Sequence, residues 1–117
     1  MQSKTFQEVI SASNALIDAF EKVEKRPWGA EGASLELMKQ VGELSKMILS
    51  AEGYYMAGRD TVEEFNATKS KIADELSDIF LMLVRIARHY DINLEEAHFT
   101  AMEEAAAHPL MKIQKQE

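Results

Sequence analysis

Several acidic residues of this chain fall where a helix would ordinarily carry leucines. Glu75 is flanked by Ile72, Ile79 and Met82, at i−3, i+4 and i+7. At 100° per residue that places it inside an apolar helical stripe or on its edge. Asp78, three residues on, shares the flank and leans toward solvent. The same arithmetic puts Gln40 among Leu37, Leu44 and Met47, with Glu36 and Glu43 beside it. A solvated face would have set these groups opposite the leucines. An unpaired carboxylate taken out of water costs several kcal/mol, and two such groups side by side push each other toward protonation. A positive charge between the two segments is therefore expected. Mg²⁺ is the economical choice, because it accepts one or two carboxylates together with water and phosphate oxygens. The competing reading is local pairing with Lys39, Lys46 and Lys71, for example Lys71 with Glu75 at i,i+4. A single Glu-x-x-Asp is far more often a solvated face than a metal site.

The overall charge points the same way. The chain of 117 residues carries a formal charge of −7, which repels a nucleic-acid backbone, since that affinity comes largely from Lys and Arg displacing counterions. A polyphosphate substrate would need a divalent cation as its bridge. With no cysteine, disulfides and thiolate metal sites are excluded. His89, His98 and His108 are too dispersed to suggest zinc. The longest apolar run, Ile79 to Val84, is too short to span a bilayer. The polar start, Met1-Gln2-Ser3-Lys4, shows no signal peptide, so the cytoplasm is the expected compartment.

These residues must be positioned by helices. Residues 1–117 read as one domain, without repeats or linkers. Phe6, Val9, Ile10, Ile17, Phe20 and Val23 recur at helical spacing, and Pro27 turns Arg26 away from helix. A second helix is expected from about Ser34, with Leu37, Val41, Leu44 and Ile48 on one stripe, fraying through Ala51 to Tyr55. Gly58-Arg59-Asp60 reads as a loop, and Thr61-Val62-Glu63-Glu64 as a capping box opening the third helix. That helix runs to about Tyr90 through Ile72, Leu76, Phe80, Leu83 and Ala87. A fourth runs from Leu94 to about Ala107, capped by Asn93 and stopped by Pro109. Short connections predict an all-α, antiparallel bundle of four to five helices.

The stretches Lys39-Gln40-Val41-Gly42-Glu43-Leu44 and Ile72-Ala73-Asp74-Glu75-Leu76-Ser77-Asp78-Ile79-Phe80 resemble the MazG-like nucleoside triphosphate pyrophosphohydrolases, of the all-α NTP pyrophosphatase group. Arg85 to Leu94 is also similar to that family's wording, and the resemblance covers about Leu35 to Glu96. It implies a Mg²⁺-dependent hydrolase, with Mn²⁺ as an alternative ion, that converts a ribo- or deoxynucleoside triphosphate to a monophosphate and pyrophosphate. It further implies a homodimer or homotetramer whose subunits pair through their helices and complete the site. Mapped residue by residue, Glu43, Glu75 and Asp78 match the metal ligands, with Glu43 and Glu75 the candidate catalytic carboxylates.

Gln40 stands where the family has its first Glu. Its carbonyl oxygen can still ligate a hard cation, but it brings no charge and cannot act as a base. Glu36 lies on nearly the line of Glu43 but about 10 Å along the helix, so the two cannot share one Mg²⁺. Gln40 and Glu36 thus enter as secondary ligands or water-positioning groups. Trp28, Lys46 and Lys71 are candidate substrate contacts, Trp28 with the alternative of anchoring a loop on the core. Arg85 and Arg88 point away from the Leu76 stripe and are expected on an exposed face. Two other functions compete with the hydrolase. One is a degenerate relative that binds nucleotide and metal without turnover. The other is a helical interaction module whose acids form a structural ion-pair network.

Overall fold

The computed structural model describes residues 2–58 and 67–111, which form four long α-helices, a short helical stretch over 109–111 and no strand. Helix α1 spans Phe6–Glu21, α2 Gly29–Ala51, α3 Lys69–His89 and α4 Leu94–Ala106. The all-α class expected from the periodicity is the one observed. Each start except that of α2 has a side-chain cap. Thr5 Oγ1 accepts from Glu8 N at 3.1 Å, Thr68 Oγ1 from Lys71 N at 3.2 Å, and Asn93 Oδ1 from Glu96 N at 3.1 Å, satisfying amides a helix leaves open.

Two starts differ from expectation. Helix α2 begins at Gly29, ahead of Ser34, because Gly29 takes a left-handed φ of 57° and turns the chain directly after Pro27. Ser34 is then interior, its hydroxyl donating to Glu31 O at 2.9 Å. Helix α3 takes Thr68 as its cap; the Thr61–Glu64 box lies outside the described residues, as do Arg59 and Asp60. The end of α2 is sharper than expected. Instead of fraying, α2 closes with Gly53 at φ 75°, Tyr54 N donating to Leu49 O at 2.9 Å and Gly53 N to Ser50 O at 3.2 Å. Helix α3 ends the same way, with Ile92 N on Ala87 O at 2.8 Å and Asp91 N on Arg88 O at 3.2 Å. Both are Schellman closures. Asp91, at φ 53°, takes the left-handed position that Gly fills in α2.

Packing is dominated by α2 against α3, while α1 lies on the C-terminal half of α3. The α2–α3 pair is antiparallel: the start of α2 meets the end of α3 where Trp28 stacks on Arg85. The inward line of α2 runs Ala33, Leu37, Gln40, Leu44, Met47 and Ser50, all buried or half-buried. On α3 the buried residues are Met82, Val84, Arg85 and Ala87. Val41, Ile48, Leu76 and Leu83, expected inside the stripes, are instead 42% to 52% exposed. The polar groups on the inward lines displace part of the apolar pattern, so each helix carries a second apolar face. Helix α1 contributes fully buried Ile17, an edge-to-face contact of Phe6 with Phe80 at 6.2 Å, and the pairing of Asp18 with Arg88. Helix α4 is exposed throughout apart from half-buried Leu94. A closed bundle is therefore not formed within the single chain among the described residues.

Arg85 overturns the expectation of an exposed face. It is 6% exposed, donates to both carboxylate oxygens of Glu24 at 2.8 and 2.6 Å, and lies 4.5 Å from the Trp28 ring centroid. Arg88 is exposed, as expected, but tied to α1 through Asn14 O at 3.1 Å and Asp18. Breaking one partner of a buried ion pair strands the other charge, at about 3–5 kcal/mol. Glu24→Gln should therefore lower stability by about that amount in chemical denaturation, whereas Glu24→Leu with Arg85→Met should recover most of the loss.

Candidate functional site

Helix α2 presents Glu36, Gln40 and Glu43, and α3 presents Glu75 and Asp78, on the sides where the two helices face. Glu36, Gln40, Glu43 and Glu75 are half-buried; Asp78 is exposed, as its lean toward solvent predicted. The antiparallel pairing brings the acids of the two helices into electrostatic reach. Burial pushes the Glu75 carboxyl above its ordinary 4.5; the charges of Asp78, Glu43 and Glu36 add to the rise, and Lys39 opposes it. Glu75 thus holds its proton more tightly than a free carboxyl, within a four-acid cluster drawn from both helices.

The donors are arranged unevenly. Gln40 Nε2 reaches Glu36 Oε1 at 3.5 Å, while Gln40 Oε1 is buried with no donor to satisfy it. An orphaned carbonyl oxygen among carboxylates suits a hard cation, which takes oxygen ligands of both kinds. The outer acids are held locally, Glu36 by Lys39 and Glu43 by Lys46, each at 3.2 Å. In this arrangement no three Asp, Glu or His side chains among the described residues converge as a ready cation site. Both pairs are i,i+3 contacts with substantial exposure, and such pairs are worth at most about 1 kcal/mol. A cation could recruit Glu43 at small cost.

Lys46 and Lys71 belong to the same two helices as the acids, and Lys46 is already on Glu43. Trp28 is elsewhere. It precedes α2, about 18 Å along the helix from Gln40, and anchors the α1–α2 loop by stacking on Arg85. There an open cavity of about 600 Å³ is lined by Lys25, Arg26, Trp28, Arg85, Arg88 and His89, among others. Sequence reasoning did not assemble this cavity. Helical spacing carried no signal for it, because Arg85 points away from the Leu76 stripe and is buried only by Glu24 and Trp28, which come from outside α3.

No known family model, characterised protein or solved structure matches this chain.

The raised affinity of Glu75 for its proton has a consequence for stability. The folded form holds that proton more tightly than the unfolded chain, so the Glu75 contribution falls as pH rises from 4.5 through the raised value. In metal-free buffer Glu75→Gln should be more stable than the parent at pH 7. The difference should shrink as pH is lowered through 4.5 and vanish well below it, where both states of the parent are protonated. Thermal melts across that range check this; a variant less stable at pH 7 would contradict it.

Proposed function

We propose that the chain is a divalent-metal-dependent nucleoside triphosphate pyrophosphohydrolase, acting on a ribo- or deoxynucleoside triphosphate. The observation that carries this reading is the four-acid cluster on two facing helices, with the unsatisfied Gln40 Oε1 beside it. Glu43, Glu75 and Asp78 would hold the ion, with Gln40 as a neutral ligand and Glu36 behind it. When bound, Mg²⁺ or Mn²⁺ supplies the positive charge that lets an acidic surface accept a triphosphate. Lys46 and Lys71 contact phosphate oxygens. Glu75 or Glu43 takes the proton of a water as its oxygen bonds to the α-phosphorus. The bridging oxygen to the β-phosphorus leaves with pyrophosphate, and the product is a monophosphate. A carboxylate whose proton affinity is raised above the ordinary range suits that role better than an unshifted one. The MazG-like wording around Gln40–Leu44 and Asp74–Asp78 supports the same chemistry.

A second reading is favoured by the local Lys39–Glu36 and Lys46–Glu43 pairs: the acids are a surface ion-pair network on an interaction module. Pyrophosphate release from a panel of nucleoside triphosphates, with Mg²⁺, Mn²⁺ or chelator, separates the two. Metal-dependent release is expected, lowered by at least about 100-fold in Glu75→Gln and Glu43→Gln. Silence across the panel from folded protein would exclude turnover. A Mg²⁺-dependent rise in melting temperature, with activity gained in Gln40→Glu, would then mark a binding protein that lost catalysis through Gln40.

We further propose that the working form is a homodimer or homotetramer. Support comes from apolar side chains facing solvent on all four helices, among them Leu16, Leu35, Met38, Leu76, Phe99 and Met102. The accessible surface is 9202 Å², against about 6,400 Å² for a compact monomer of this mass. The radius of gyration is 18.3 Å, against about 13 Å for a compact chain of this length. The difference in area exceeds the roughly 800 Å² per partner of a standard interface. Sedimentation equilibrium at micromolar concentration should return two or four times the chain mass; a monomer would refute the proposal.

A further inference from the structure

The cavity at the start of α2 is separate from the acidic cluster. Arg85 lies about 15 Å along α3 from Glu75, and Trp28 lies on the opposite side of Gln40 from the α2 C-terminus. Its volume of about 600 Å³ is within the roughly 300–1,000 Å³ of small-molecule sites. Its charge is opposite to that of the protein as a whole. Four cations line it, Lys25, Arg26, Arg85 and Arg88, against two carboxylates, Glu21 and Glu24, on a chain of net charge −7.

The cations are not equivalent. Arg85 is neutralised by Glu24, and Arg88 by Asp18 with Glu21 at 3.6 Å. Lys25 and Arg26 have no ion-pair partner recorded among the described residues, and both are exposed. They line the cavity together with Gly29, the first residue of α2; no side chain caps that helix, whose dipole adds to the positive field while Glu31 in its first turn opposes it. His89 completes the rim. Trp28 is a fixed wall: Arg85 covers one face, and a Cβ at Gly32 would come within 2.8 Å of the Trp28 Cβ. Gly32 thus leaves room for the indole to pack flush on α2.

We propose that this cavity binds a small phosphate monoester, whose dianionic phosphate is held by Lys25, Arg26 and the first turn of α2, with its polar body between Trp28, Arg88 and His89. Two uncompensated cations match a dianion, and a helix start with arginine beside it suits phosphate oxygens. The volume leaves room for more than the phosphate. The site needs no metal, so it stands or falls independently of the pyrophosphohydrolase reading.

Trp28 is the only tryptophan, and its emission is a direct reporter. The full chain, in chelator and at constant ionic strength, is titrated with inorganic phosphate, glucose 6-phosphate and acetate. A saturable change is expected with the two phosphates, tighter for the monoester, and none with acetate. Lys25→Gln/Arg26→Gln, which alters only exposed side chains, should weaken binding at least tenfold. Glu75→Gln should leave it unchanged while abolishing any metal-dependent hydrolysis. The proposal is overturned by a flat titration, by an equal response to acetate, by undiminished binding in the Lys25/Arg26 variant, or by its loss in Glu75→Gln.

Discussion

The buried guanidinium of Arg85 joins three parts of the chain that sequence separates. Glu24, beyond the end of α1, accepts two hydrogen bonds from it. Trp28, just before α2, covers it. Arg85 itself belongs to α3. A charge 6% exposed is tolerable only with its partner in place, because desolvation otherwise outweighs what it gains. This one node therefore holds the α1–α2 loop against the end of α3 and sets where α2 begins along α3. With that end pinned and the helices antiparallel, the rise per residue carries Gln40 and Glu43 to the level of Glu75.

The α2–α3 pair is consequently polar at both ends of its interface, but with opposite sign. At the Arg85 end a cation is buried and its anion supplied from within the chain. At the Glu75 end four acids are gathered, with Glu36 and Glu43 paired locally to Lys39 and Lys46. The first end is satisfied by a partner distant in sequence. The second keeps a carboxyl whose proton affinity is raised by burial and like charge, and a buried carbonyl with no donor among the described residues.

The same polar insertions explain why the described helices do not close into a bundle. Each polar residue on an inward line displaces an apolar one to another face, as Val41, Ile48, Leu76 and Leu83 show. Helix α4 is exposed beyond Leu94, leaving Phe99 and Met102 in solvent. A sequence with about half its residues hydrophobic whose described part buries so few of them has not exhausted its hydrophobic driving force.

Helix type, the Asn93 cap and the inward placement of Gln40, Glu43 and Glu75 were all legible from the sequence, because they depend on local spacing at 100° per residue. So was the mutual reach of the two acidic segments, once an antiparallel pair was assumed. The start of α2 was not legible, since it rests on the left-handed turn at Gly29. Nor was the fate of Arg85: helical arithmetic set it on an exposed face, since nothing local pairs a guanidinium with Glu24, sixty-one residues away. Partners distant in sequence are chosen by packing, and so the buried ion pair and the basic cavity exist only in the tertiary structure. What the sequence by itself determined was helix type, the Asn93 cap and the part of the α2 line that holds Leu37, Gln40 and Leu44. Only the fold, which left Val41, Ile48, Leu76 and Leu83 exposed and buried Arg85, decided which faces are covered and which side chains meet.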